Sequence, residues 1–312
     1  MALDRIGLLL AKKEGSYGVD PTPAAGTDDI LIFDPRPTVD GLPLTRQTLD
    51  ASLSRRPHVI GRKIFTLDFS TELKGSGTAG TPPEVGVLFE ACQMQHTNVP
   101  ATSDSYAFES SNFDSVTLYF YNDALLHKIT GAYGSFELVC PGGEFGRINW
   151  HFMGLWNDVT TAAIPGGSVF DTTVPPLLTN AALTVGGFAG NVANFSLNAN
   201  VRVEESRDLN ALTDGLAKLA TNGREPGGGF NPLVVPVGTY DVWGLWKAGT
   251  EGSLTATFGS AAGNRLKINT APKLQYTRVG YGVRAGERTF ELEYALNRST
   301  AAGDDELVLV YD

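Results

Sequence analysis

The sequence predicts a mainly β protein with minor α content, built as two tandem β-sandwich or half-barrel units, each with one flanking helix. Three observations predict it. Apolar and polar residues alternate over short runs along most of the chain, the period of a strand with one buried face. Glycine (36) and proline (17) punctuate the 312 residues often enough to end those runs in turns. The third observation is a repeat. The stretch Ser115 to Leu155 recurs at Ser253 to Leu296, with Val116, Leu118 and Phe120 falling on Leu254, Ala256 and Phe258. Lys128-Ile129 then meets Lys267-Ile268, Gly146-Arg147 meets Gly286-Glu287, and Trp150 and Phe152 meet Phe290 and Leu292. Register needs only one inserted residue before Ile268 and one before Gly286. The similarity is weak but runs through three successive strand patterns; a coincidence of β-patterned sequence is the alternative reading.

In order, residues 1–30 form an arm with a short apolar run, Ile6 to Ala11, and a Pro/Gly/Asp-rich end. Nothing there can make a core alone, so it must lie along something else. The first unit spans 31–160. Ile30 to Phe33 reads as a strand ended by Asp34-Pro35-Arg36-Pro37, 38–60 as a long loop or extended hairpin, and Phe65 to Leu73 as a clear strand. Pro82-Pro83 opens a helix over Glu84 to Met94, because proline and an acid suit a first turn whose amide hydrogens have no partner. Val85, Leu88, Phe89 and Cys92 give that helix one apolar face. Residues 161–182, rich in Thr, Pro and Gly, read as a linker.

The second unit spans 183–312. Phe195 to Val203 is an alternating strand, Asp208 to Ala220 a short helix, Asn222 to Gly229 a flexible loop, and Pro232 to Val237 a strand. Thr239 to Lys247 holds the place before the second three-strand stretch that the helix at 84–94 holds before the first. Leu307 to Tyr311 reads as a last strand, for sheet completion or a neighbour contact.

Net charge −10 argues against a surface that grips nucleic acid by neutralising phosphates, though not against one past which nucleic acid slides. Cys92 and Cys140 sit among apolar residues and read as buried free thiols of a reducing compartment. The N-terminal apolar run, with Asp4 before it, is too short for a signal peptide, and no segment approaches a membrane span, so a soluble product that is not exported is expected.

Sites are sought and not nominated. The run 223–229 lacks the Gly-Lys-Ser/Thr of a phosphate loop. His58, His96, His127 and His151 lack metal-pair spacing, no nucleophile elbow exists, and Asp304-Asp305-Glu306 reads as a solvated acidic run. His151 falls on the face opposite Trp150 and Phe152, where a solvated or interface role outweighs catalysis. Trp150, Trp156, Trp243 and Trp246 are read as core or subunit-interface packing. Thus no catalytic, cofactor-binding or metal residue is expected, and no cofactor.

The stretch Ala11-Lys12-Lys13-Glu14-Gly15-Ser16-Tyr17-Gly18-Val19-Asp20-Pro21-Thr22-Pro23 resembles the start of the tail tube (major tail) proteins of long, non-contractile bacteriophage tails. Gly61-Arg62-Lys63 through Leu73-Lys74-Gly75-Ser76-Gly77, Pro82-Pro83 before Leu88 to Cys92, Arg224 to Gly229 and Gly263 to Ile268 resemble the same family. The resemblance implies a structural virion protein. Its subunits would join edge to edge into rings, stacked as a tube through which the genome leaves the capsid. With the repeat, six tube folds need only three chains, so a trimeric ring with pseudo-sixfold symmetry is expected, a hexamer being the competitor. The implied partners are the protein itself, with tape measure protein and DNA passing through the lumen, and tail terminator and distal tail proteins at the ends, with no membrane. Assembly would occur in the host bacterial cytoplasm. By the same analogy the arm 1–30 and the loops 36–60 and 74–81 would make contacts between stacked rings. Rival readings are another tail, baseplate-ring or adaptor protein, and a β-sandwich carbohydrate-active enzyme.

Overall fold

Alternating runs become strands because each can bury one face and wet the other. The computed structural model describes residues 6–49, 51–211, 215–269 and 273–312. Among them the chain forms β1 (Gly7–Lys13), β2 (Asp29–Ile30), β3 (Phe33–Leu44), β4 (Val59–Glu72), α1 (Gly86–Glu90), β5 (Met94–Val99), β6 (Ser103–Phe108), β7 (Val116–Asn122), β8 (Leu125–Pro141), β9 (Arg147–Trp156), β10 (Thr160–Thr161), β11 (Thr184–Val185) and β12 (Val192–Asn198). There follow β13 (Val201–Arg207), β14 (Leu216–Arg224), β15 (Gly227–Pro232), α2 (Val242–Ala248), β16 (Leu254–Phe258), β17 (Leu266–Asn269), β18 (Lys273–Arg284), β19 (Glu287–Asn297) and β20 (Val308–Tyr311). The protein is mainly β, as its pattern predicts.

Eight strands make one continuous antiparallel wall in the order β3-β4-β9-β8-β12-β15-β19-β18. The first four strands belong to the first half of the chain and the last four to the second. They meet where β8 pairs with β12, Leu138 opposite Leu197 and Glu137 opposite Asn198. Among the described residues β3 pairs with no strand but β4, and β18 with no strand but β19 apart from a bridge of Leu274 to Gly252 at its start, so the wall ends in two edges, open along β3 and along β18 beyond that bridge.

The two quartets pair in the same register. Leu118 faces Ile129 as Ala256 faces Ile268. Phe136 faces Trp150 as Tyr281 faces Phe290, and Leu67 faces Phe152 as Phe230 faces Leu292. Val39 faces Phe65 as Leu197 faces Gly228. Even the bulge in β8 opposite Leu155 and Met153 has its counterpart in β18 opposite Tyr294 and Glu293. Within this register the halves differ in how one strand is built. The single strand β8 corresponds to two strands, β17 and β18, and the longer path ahead of β18 is offset by a shorter turn into β19.

Over the inner wall lies a second sheet, β11-β16-β17-β20-β6-β5, with one continuous apolar core between. α1 plugs this core. The Phe89 ring lies 5.0 Å from the rings of Phe136 and Trp150 and 5.2 Å from Tyr106. A side chain on Gly86 would meet the Tyr106 hydroxyl at 2.3 Å, so glycine is what lets the helix approach. α2 is capped by Asp241, whose carboxylate accepts from the Gly244 N–H at 2.8 Å, and ends on Gly249 at φ 62°. The last strand, β20, lies between β17 and β6 and completes this sheet across the two halves.

Several expectations need correction. The helix expected over Glu84 to Met94 is one short turn, Gly86–Glu90, because Gln93 turns at φ 64° and Met94 already begins β5. Asp34-Pro35-Arg36-Pro37 does not end a strand but lies within β3. An edge strand tolerates prolines, and a register shift there absorbs them. The helix expected over Asp208 to Ala220, of which 212–214 lie outside the described residues, is instead the β13–β14 hairpin. A register shift at Ala217 puts Leu216 and Leu219 on one buried face, so strand residues acquire a helical spacing. The run Phe195 to Val203 is split at Asn200, φ 47°, into β12 and β13, and β15 stops at Pro232 rather than running on to Val237. Asp4, which precedes the N-terminal apolar run, lies outside the described residues.

The arm lies along its own subunit: β1 pairs with β7 over its whole length, and Leu8, Leu9, Leu10 and Ala11 are buried. Those side chains are therefore committed within the chain and not free for the inter-ring contacts expected of 1–30. Glu14 ends the strand as a buried anchor. Its carboxylate accepts from the Ser115 and Thr117 hydroxyls at 2.6 Å, from the Gly18 N–H at 2.6 Å and from the Gly131 N–H at 2.7 Å. Glu14→Ala should strand these donors and cost about 3 kcal/mol, seen as a lower denaturation midpoint with unchanged denaturant dependence.

Three carboxylates fasten the chain's two ends. Burial opposes ionisation of Asp20, yet the bonds from Tyr119, Thr22 and Lys128 prevail and hold it below its ordinary value of 3.8. Asp304 is lowered against burial by Ser110 and Arg224, and Asp312 by Arg265 and Lys267. A depressed acid stabilises the fold above its ordinary value and loses that contribution as pH falls below it. Amides of β1 and β20 should therefore lose hydrogen-exchange protection between about pH 4 and pH 2 before those of β8 and β9 do.

Candidate functional site

One face of the inner wall is buried in the core and the other is polar. On β4 the core face carries Phe65, Leu67 and Phe69, and the other face Thr66, Asp68 and Ser70. The pattern repeats across the wall, with Asn149 and His151 opposite Trp150, Ser135 and Glu137 opposite Phe136, and Asn194, Ser196 and Asn198 opposite Phe195 and Leu197. On β19, Glu291 and Glu293 flank the buried Leu292. Alternation in the sequence thus writes a polar surface that crosses both halves.

Charges on that surface are mostly answered locally. His151 Nδ1 lies 2.5 Å from Asp68, Arg278 donates to Glu293 at 2.6 Å, and Arg202 lies 2.7 Å from Glu225. Between the pairs run neutral groups: the Ser70 hydroxyl donates to Asn149 Oδ1 at 2.8 Å. A cleft of about 790 Å³ opens on this face at the junction of the halves, lined by Arg36, Asp68, Glu137, His151, Asn198 and Glu225 among others. Most of its charged groups are paired, Asp68 with His151, Arg202 with Glu225 and Glu137 with Asn149.

The residues weighed in the sequence fall elsewhere. The run read as a flexible loop is not a loop: Gly227–Gly229 belong to β15, in mid-sheet between β12 and β19. A side chain on Gly228 would come within 2.0 Å of the Ser196 carbonyl, to which the Tyr294 hydroxyl donates at 2.8 Å, so these glycines serve close strand packing. The acidic run is not simply solvated either. Asp304 and Glu306 hold Arg224 at 2.5 and 3.2 Å, and Asp305 accepts from the Ser299 N–H at 2.8 Å.

His96 pairs with Asp104 at 2.8 Å, while His127 packs against Phe65 and Phe120, and burial lowers its pKa. His58 precedes β4 on an exposed segment. Among the described residues no group of three or more His, Cys, Asp or Glu side chains is placed to hold a metal. Cys92 and Cys140 are buried and unpaired, and burial pushes the Cys140 thiol up to about 12. Trp150 is core, Trp156 is half-buried under Lys63, and Trp243 and Trp246 stand exposed on α2.

Sequence reasoning did not single out the two open edges. On β18, Tyr281 and Val283 are exposed although their face is the core face; on β3 the same holds for Val39. On β18 the signal was present, because Val279, Tyr281 and Val283 continue an apolar alternation that elsewhere marks buried positions; Val39, between Pro37 and Gly41, carries no such pattern.

No helix among the described residues is long and apolar enough to cross a membrane. No curated protein matches the sequence. A family model described as phage tail tube protein matches residues 5–304, nearly the whole chain. The chain therefore belongs to the phage tail tube protein family: it is a structural component of the virion tail that assembles with copies of itself into a tube.

Proposed function

We propose that the chain forms the wall of the tube in a long, non-contractile tail, three copies closing each ring and each copy contributing two tandem tube-like units, 31–160 and 183–312. The observation that carries this is the eight-stranded wall with a polar face and an open edge at each end. Open edges need partners, and a ring of like subunits provides them while leaving no edge exposed. The matched registers of the two quartets support counting each chain twice. Three such walls, at a strand spacing of about 4.8 Å and a tilt of about 40°, would close a barrel about 45–50 Å across its backbone. That leaves room for a nucleic acid duplex.

On this reading the polar face lines the lumen. Tape measure protein and then DNA occupy it without specific binding, tail terminator and distal tail proteins cap the ends, and assembly takes place in the host cytoplasm. No catalytic step is assigned to the chain. Of the segment 36–60 expected to meet the next ring, 36–44 and 59–60 lie in β3 and β4, so its described stretches 45–49 and 51–58, with the loop 74–81, are left for that contact, since β1 is engaged within its own subunit.

Electron microscopy of the concentrated protein should show rings or tubes with three chains per ring. Six chains per ring would overturn the trimer, and persistent monomers would overturn the tube. A second measurement addresses the lumen. Asn149→Lys combined with Asn198→Lys should leave tube assembly intact but slow DNA release several-fold, most at low salt, because added cations hold phosphates that the native face lets pass.

A further inference from the structure

The internal junction between the halves supplies a template for the contact between chains. At β8–β12, Leu138 lies opposite Leu197, and both are 0 % exposed. The matched registers make Val283 the counterpart of Leu138, one residue before Arg284 as Leu138 is before Val139, since Arg284 faces Glu287 as Val139 faces Arg147. They likewise make Val39 the counterpart of Leu197. Yet Val283 is 76 % exposed and Val39 49 %, and Tyr281 is 55 % exposed where its counterpart Phe136 is 2 %. These positions carry core residues without a core.

We infer that β18 of one chain pairs antiparallel with β3 of the next, Val283 opposite Val39, repeating the register of β8 on β12. This rests on the ring reading above and names the partner strand and register within it. Three further features fit. Strand directions alternate along the wall from β3 to β18, so the next strand must run as β3 does. The register sets Arg284 opposite Thr38, with Asp40 on one diagonal and Arg36 on the other, so no like charges stand directly opposite. In the internal junction the β13–β14 hairpin lays the buried Leu216 and Leu219 against Tyr133 and Ile64 of the first half. The corresponding β3–β4 hairpin carries Leu44, Val59 and Ile60, 44–56 % exposed, and would lie over the neighbour's β18 and β19 in the same way. The contact is head to tail, so it closes a ring when its rotation closes and continues as a filament otherwise.

Cysteines test the register, because opposed residues of an antiparallel pair lie within disulfide reach. The Val39→Cys/Val283→Cys protein, assembled and then oxidised with diamide, should give covalent dimers and trimers on a non-reducing gel. Each single variant should give none of the trimer. A pair slipped by two residues, Val39→Cys/Tyr281→Cys, should remain uncrosslinked. Preferential cross-linking of the slipped pair would overturn the register. Tubes visible by microscopy with neither pair cross-linked would overturn the β18–β3 seam while leaving the tube reading intact. Absence of any ring or tube in the unmodified protein would overturn the tube reading itself. Because the side chain is exposed, Val283→Asp should keep the melting profile of the subunit yet raise the concentration needed for polymerisation at least tenfold; unchanged polymerisation would also overturn the seam.

Discussion

A sheet edge is a row of N–H and C=O groups that need partners, and most of this architecture answers that demand. In the outer sheet the chain's own last strand is inserted between β17 and β6, so one segment satisfies an edge from each half. At the near end of the molecule β1 covers β7. In the inner wall β12 covers β8. After these pairings the wall still has β3 and β18 open, each with apolar side chains on what should be the covered face. Nature usually guards such edges with charge, proline or a bulge. β3 has its prolines at 35, 37 and 43, yet they do not block pairing throughout: at Thr38 to Gly41 the strand runs without one.

What keeps the two halves in one arrangement is a set of ties distributed along the junction. Arg224 is the clearest. Its guanidinium reaches from the second half to the Glu109 carbonyl at 2.7 Å, stacks over Phe108, and holds Asp304 and Glu306 on the approach to β20. The Tyr17 hydroxyl of the arm accepts from the Leu219 N–H at 2.6 Å, with its ring stacked on Tyr133. Such ties fix the angle at which the second quartet continues the first. In a closed ring that angle matters more than the stability of either quartet, because a small error repeated around the circle prevents closure.

Much of this was legible in the sequence, and the reasons differ by element. β4, β9 and β19 were readable because one face is largely buried and the alternation is unbroken; β7 kept its alternation although both of its faces are buried. The repeat was readable at its strand ends for the same cause, and the residues aligned there do pair in equivalent register. The β13–β14 hairpin was not, since a bulge at Ala217 gives Leu216 and Leu219 a helix-like spacing. The glycines of β15 misled in another way: their run signals flexibility in isolation, but here it lets Ser196 and Tyr294 approach the strand. The ends of β3 and β18 were hardest, because exposure of an apolar residue becomes informative only when its buried counterpart is known.

Charge deserves a separate argument, because a net −10 subunit invites the idea that an acidic wall repels DNA. The polar face does not bear that out in its simplest form. It carries acids at Asp68, Glu137, Glu291 and Glu293, but also Arg36, Arg147 and Arg278, and many positions between them are Ser, Thr or Asn. Paired charges cancel within a screening length of about 8 Å, so a phosphate on the axis of a wide lumen would sense little of either sign. For a conduit this is the more useful property. Strong repulsion would resist entry of the genome and strong attraction would resist its exit, whereas a hydrated, locally neutral surface does neither. The acid surplus then lies mainly off this face, where it can act on solubility and on encounter between subunits rather than on the passage itself.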